Sequence, residues 1–161
     1  MKTILYTDLI NRRVNLPDEF KRGKIKDVLA EPSEGIWTVH ELMVTTGLFR
    51  KESRFFFTYE LQNVGKEGSI SVMKTMEEAR KEPSEASEFY MDEIYGRKVE
   101  TSHGHEIGRV YDYELSLDLE PWTVWKLLVE PSSLSPYKRR KRLSIENVEK
   151  VEKNKIIFRP E

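Results

Sequence analysis

The chain has no cysteine among its 161 residues. A disulfide framework, a thiolate metal site and a cysteine nucleophile are therefore excluded. No run approaches the roughly 18–20 apolar residues that a membrane-spanning helix requires. The opening residues do not follow a basic segment with an apolar one, so the sequence predicts a cytoplasmic chain without direct membrane insertion. No charge of one sign dominates: 27 Lys and Arg face 28 Asp and Glu, for a net charge of -1. That balance argues against a general polyanion binder and leaves local patches open. No glycine-rich phosphate loop follows a strand and opens a helix, no serine nucleophile motif is present, and the carboxylates show no paired pattern. Neither catalysis nor a cofactor is expected. What is present is charge (34%) and an aromatic set of seven Phe, seven Tyr and three Trp. So many aromatics argue against disorder. The length fits one domain of roughly 100–200 residues, or two very small ones.

An internal repeat decides between these. Displaced by 85 residues, the chain matches itself without a gap over 7–44 against 92–129. Arg12 falls on Arg97, Val14 on Val99, Gly23 on Gly108 and Asp27 on Asp112. Trp37-Thr38-Val39 falls on Trp122-Thr123-Val124, Leu42 on Leu127 and Val44 on Val129. Two Trp-Thr-Val triplets in one register point to a tandem duplication. Further on, the register slips by a residue or two, with Phe57-Thr58-Tyr59-Glu60 set against Leu143-Ser144-Ile145-Glu146 and Ile70 against Ile157.

Each copy reads as short strands. Tyr111, Tyr113, Leu115, Leu117 and Leu119 alternate with polar residues, the period-two pattern of a strand with one buried face. Leu119-Glu120-Pro121 is a turn, and Trp122 to Val129 returns with β-branched and aromatic residues. In the first copy, Ile25 to Ala30, the turn at 31–35 and Ile36 to Val44 repeat the plan. Arg12 to Asn15 and Arg97 to Thr101 are opening strands, and Arg54–Phe57, Ser69–Val72, Arg140–Ser144 and Ile156–Phe158 close each copy. Gly23 and Gly108 suit a bulge or a close backbone approach. Asp27 and Asp112 recur as structural residues, such as acceptors for a turn amide. Five or six short strands in roughly 75 residues suggest a small closed barrel, because closure removes sheet edges. Between the copies, Met76 to Lys81 favours a short helix that Pro83 stops. The expected architecture is all-β: one small barrel over 1–75, a partly helical linker over 76–87, and a second barrel over 88–161.

The segment Asp92-Glu-Ile-Tyr-Gly-Arg-Lys-Val, with Gly108-Arg-Val-Tyr-Asp112 after it, resembles the opening of a PRC-barrel domain. Leu9-Ile-Asn-Arg-Arg-Val14 and Gly23-Lys-Ile-Lys-Asp-Val28 show the same frame, with Asn11 where the family and Gly96 have glycine. The resemblance covers nearly the whole chain except the linker. It implies a non-enzymatic adaptor that holds a protein partner. The family includes the reaction-centre H subunit, the ribosome maturation factor RimM, and archaeal proteins of FtsZ-based cell division that act through SepF. A soluble chain built only of such barrels is most similar to the archaeal group, which implies a SepF-like partner and recruitment to the division site.

Candidate partner-binding residues follow from two loops. Phe49, Phe55 and Phe56 belong to an aromatic-rich stretch in which Phe55-Phe56-Phe57 must turn at least one ring away from the core. Burial beneath the linker is the competing expectation. Lys138 to Arg142 is a run of five cations. With Tyr137 it offers Arg139, Arg140 and Arg142 to an acidic protein, or to RNA as the alternative partner. The plain alternative is a solvated edge strand whose cations discourage pairing. Trp37 and Trp122 match by repeat and are expected in the core, whereas Trp125 lacks a partner Trp and is the better interface candidate. His103-Gly104-His105 lacks the further ligands a metal site requires, so no metal is expected there. A homodimer is the remaining possibility for self-association.

Overall fold

The computed structural model describes residues 2–17, 22–33, 35–47, 50–65, 69–87, 89–136 and 138–160. The fold is all-β, and the described residues hold two α-helices of four residues each and two three-residue 3-10 turns, Thr58–Glu60 and Ile145–Asn147. In the first copy the strands are β1 (Thr3–Leu5), β2 (Arg13–Asn15), β3 (Arg22–Ser33), β4 (Ile36–Thr46), β5 (Glu52–Phe57), β6 (Leu61–Gln62) and β7 (Ile70–Val72). The second copy holds β8 (Phe89–Tyr90), β9 (Lys98–Thr101), β10 (Glu106–Ser116), β11 (Trp122–Pro131), β12 (Lys141–Ser144), β13 (Val148–Val151) and β14 (Lys155–Phe158). Helix α1 (Tyr6–Leu9) follows β1, and α2 (Met91–Ile94) follows β8.

The sheet order is palindromic: β13-β14-β9-β10-β11 on one side, then β4-β3-β2-β7-β6 on the other. At its centre the two Trp-Thr-Val triplets pair with each other, Trp122 opposite Val39, Thr123 opposite Thr38 and Val124 opposite Trp37. The triplets that revealed the repeat thus form the seam of a pseudo-twofold. The opening strands cross this axis. β1 pairs with β10, Leu5 opposite Glu114, and β8 pairs with β3, Tyr90 opposite Leu29. Each copy therefore lends its first strand and helix to the other. One apolar cluster includes Leu9, Trp37 and Phe56 of the first copy and Ile94, Trp122 and Phe158 of the second.

Bulges explain where simple alternation fails. The register shifts between Ile25 and Asp27 and again between Val110 and Asp112. The extra residues, Lys26 and Tyr111, leave the ladder, and Asp27 and Asp112 turn inward to become buried. Tyr111 is consequently half-buried, and Leu119 stands exposed at the hairpin tip. Gly108 permits a close approach: a Cβ there would lie 2.0 Å from the Glu130 carbonyl oxygen. Asn11 and Gly96 occupy matching left-handed positions, with φ of 69° and 78°. Their N–H groups donate to the carbonyls of Ile25 and Val110.

Beyond the hairpins, two corrections to the repeat emerge. Phe57 lies opposite Glu41 and Ser144 opposite Lys126, so Phe57 corresponds to Ser144 rather than to Leu143. Ile70 opposite Val14 corresponds to Ile156 opposite Val99 rather than to Ile157. The first shift follows from a longer connection between β11 and β12 than between β4 and β5, and the second copy is then one residue shorter before β14. The linker differs too. No helix forms over 76–81. Thr75 and Glu78 exchange hydrogen bonds between side chain and backbone, and one turn closes with the Ala79 N–H on the Thr75 carbonyl. The chain then extends, and Phe55 donates its N–H to the Arg80 carbonyl at 2.9 Å. Local propensity is overruled because Arg80 gains a strand partner and a buried carboxylate.

Candidate functional site

The most distinctive side-chain cluster lies where the copies exchange elements. The bulge in β3 aims Asp27 inward, and three donors converge on its carboxylate. Tyr6 Oη donates at 2.8 Å, the Val28 N–H at 2.7 Å and the Asp92 N–H at 3.3 Å. Burial pushes the Asp27 carboxyl up to about 6, against the pull of these donors, and the nearby Asp92 charge adds to the rise. Tyr6 is raised by burial and by the Asp27 charge. Tyr113 meets Tyr6 edge to face at 5.1 Å and donates its hydroxyl to the Met91 carbonyl. A cleft of about 540 Å³ opens beside the cluster, lined among others by Asn11, Tyr90, Asp92 and Tyr95. At the pseudo-equivalent place, Asp112 accepts the Tyr113 N–H at 2.8 Å, the Thr7 N–H at 3.1 Å and the Thr7 hydroxyl at 2.6 Å. Both recurrent aspartates thus have a structural role, but the amides they bond belong to strands (Val28, Tyr113) and helices (Asp92, Thr7) rather than to turns, and each pins the helix contributed by the other copy.

A second buried acid, Glu41 on β4, holds the linker. Its carboxylate takes the Arg80 guanidinium, the Ser84 N–H at 2.8 Å and the Ser87 hydroxyl at 2.5 Å. Burial raises Glu41, and the hydrogen bonds from Ser87, Arg80 and Ser84 outweigh it, leaving the carboxyl below its ordinary value. The Arg80 guanidinium also lies 3.9 Å from the centre of the Phe57 ring, which stacks on Tyr59.

The described sequence-predicted interface residues fall on separate elements, Phe55 and Phe56 on β5, Trp125 on β11 and Arg142 on β12. Phe49 and Tyr137 lie outside the described residues. Phe55 and Phe56 are buried, so neither ring is open to a partner in this fold. The ring that turns away is Phe57, half-buried beneath Arg80. Trp125 is 37% exposed, with the Lys126 ammonium 5.2 Å from its ring centre. Arg139 is exposed. Arg140 pairs with Glu130 at 2.5 Å and lies over Tyr111 at 4.7 Å, and Arg142 pairs with Glu114. Trp37 and Trp122 are in the core. His103 and His105 flank a tight turn in which Gly104 donates to the Thr101 carbonyl. Among the described residues no group of three or more His, Asp or Glu is placed to hold a metal, and no helix is long and apolar enough to cross a membrane.

The sequence reading missed Tyr59 and Leu119, which are 68% and 78% exposed. The Thr58 hydroxyl donates to Glu120 at 2.6 Å, so the two residues flank one contact between the copies. Only the tip position of Leu119, next to Pro121, could have signalled this. Compared with family models and with curated proteins, the chain matches none.

Proposed function

We propose that this chain is a non-enzymatic adaptor that binds a protein partner. The observation that carries the reading is how polar and apolar groups are spent. The buried carboxylates of Asp27, Asp112 and Glu41 all accept hydrogen bonds from the chain itself. Large apolar side chains are meanwhile left in solvent where the copies meet, Tyr59 and Leu119 on either side of the Thr58–Glu120 bond. Apolar side chains left in solvent beside a junction between the copies are candidates for cover by a protein partner. The PRC-barrel resemblance supplies the finer proposal: a cytoplasmic division adaptor of the archaeal type, recruited through a SepF-like partner. RNA or ribosome binding through 138–142 has less support, because Arg140 and Arg142 are engaged by Glu130 and Glu114.

The test is an affinity pull-down from source-cell lysate, with and without RNase, read by mass spectrometry. The adaptor reading expects a SepF-like or FtsZ-type protein whose recovery ignores RNase and is lost on Tyr59→Ser with Leu119→Ser. Ribosomal proteins that vanish with RNase, and with Arg139→Ser, would replace it with the RNA reading.

A further inference from the structure

Pseudo-symmetry makes one difference between the copies informative. In the first copy the outer edge of β5 is covered by the chain's own linker, through the bond from Phe55 to Arg80. The residue that secures this cover is Glu41, which holds the Arg80 guanidinium. The second copy has the same edge on β12, which pairs with β11 on its inner side. Among the described residues no segment bridges the outer side. Arg142 takes the place of Phe55, and its register puts the backbone N–H on that outward side. The charge is inverted as well: Lys126 stands where Glu41 stands.

We propose that the outer edge of β12 is a strand-addition site for an extended acidic peptide of the partner. The inference rests on the adaptor reading and names its partner's chemistry. Main-chain bonding to an open edge supplies register and affinity, and side chains alternating along the added strand supply selectivity. Complementarity fixes the sign. Arg139 lies exposed beside the edge, and Lys126 replaces the carboxylate that receives Arg80 in the first copy, while Arg142 is already engaged by Glu114 and contributes its backbone. An acidic side chain at the Arg80-equivalent position would meet Lys126 as Arg80 meets Glu41. A second copy of this chain does not fit, since two such edges would set cation against cation.

The experiment uses the full chain, isotope-labelled, and a synthetic peptide of residues 75–87 carrying Arg80→Glu. Titration is expected to slow hydrogen exchange at the Arg142 amide, while the Leu143 amide, on the inward side, changes little. Lys126→Glu should weaken this peptide by about tenfold or more. The same variant should gain binding to the unsubstituted Arg80 peptide. Absence of binding at millimolar peptide, or binding that leaves the Arg142 amide unprotected, overturns the proposal. So does an equal effect of the peptide on wild type and Lys126→Glu. A single-stranded RNA that shifts these amides at lower concentration than the peptide overturns it in favour of nucleic acid. Pull-downs with Lys126→Glu separate the two readings. If the variant recovers the wild-type partner undiminished, the edge site falls and the adaptor stands. If the wild type recovers no partner, the adaptor reading falls, and the amide data alone decide the edge.

Discussion

Asp27 shows how a single side chain can couple the fold to pH. Its carboxyl is raised from 3.8 to about 6 by burial. The folded chain therefore holds that proton more tightly than the unfolded chain does. Its favourable contribution is full below about pH 4 and is lost as pH rises through about 6. That rise in the carboxyl corresponds to about 2–3 kcal/mol. Asp27→Asn keeps an acceptor for Tyr6 and cannot ionise. Denaturant melts of both proteins from about pH 4 to about pH 7 should show the variant gaining on the wild type by about that amount. Parallel curves would show that Asp27 does not carry the shift. A backbone prediction belongs at the same scale. Asn11 and Gly96 share the left-handed conformation, which costs most L-residues about 1–2 kcal/mol and Asn less. Gly96→Ala should lose about 1 kcal/mol in a denaturant melt, and Gly96→Asn only a few tenths. The paired Asn and Gly were visible in the sequence. The Asp27 environment was not, because Asp92 and Tyr6 reach it from segments 65 and 21 residues away.

Among the elements, the linker is where local sequence and tertiary structure disagree most. Met76 to Lys81 has the composition of a helix, yet a single turn forms before Arg80 is drawn to β5 and Glu41. Glu41 is fully buried. Removing its cation leaves a buried charge with only the Ser84 and Ser87 donors, which should cost about 2–3 kcal/mol. Arg80→Ala should lower the melting temperature and speed tryptic cleavage after Lys81, because the linker loses its anchor. Unchanged cleavage would show that the linker is held by Met76 and Ala79 packing instead. The long hairpins were legible because period-two patterning and the shared triplets fix β3, β4, β10 and β11. β1, β8 and the two helices were not. Two- to four-residue elements carry little periodic signal, and the partner of β1 lies more than 100 residues along the chain. The Phe55-Phe56-Phe57 run shows the limit of pattern reading. It announced that one ring faces outward, but the pairing of Phe55 with Met43 and the Arg80 contact above Phe57 decided which.

Across the whole molecule, the exchange of opening strands has a consequence that two linked domains would not share. β1 and α1 belong to the first copy by sequence and pack on β10, while β8 and α2 pack on β3. The Trp-Thr-Val seam joins β4 to β11, and the core cluster runs through both copies. Neither copy can unfold without stripping the other of a strand, a helix and the seam. Denaturation should therefore be one cooperative transition, with fluorescence, far-UV circular dichroism and calorimetry agreeing on a single midpoint. The seam offers a sharper test. Trp37 and Trp122 are both buried and sit across the pseudo-twofold from each other. Trp37→Ala and Trp122→Ala should each cost about 3–5 kcal/mol. Each should lower the single midpoint without splitting it. Because the two residues occupy one seam, their effects should fail to add, and the double variant should lose less than the sum. A variant that melts in two steps, with the unsubstituted copy retaining its original midpoint, would show that the copies are independent domains and that the exchanged strands do not bind them into one folding unit.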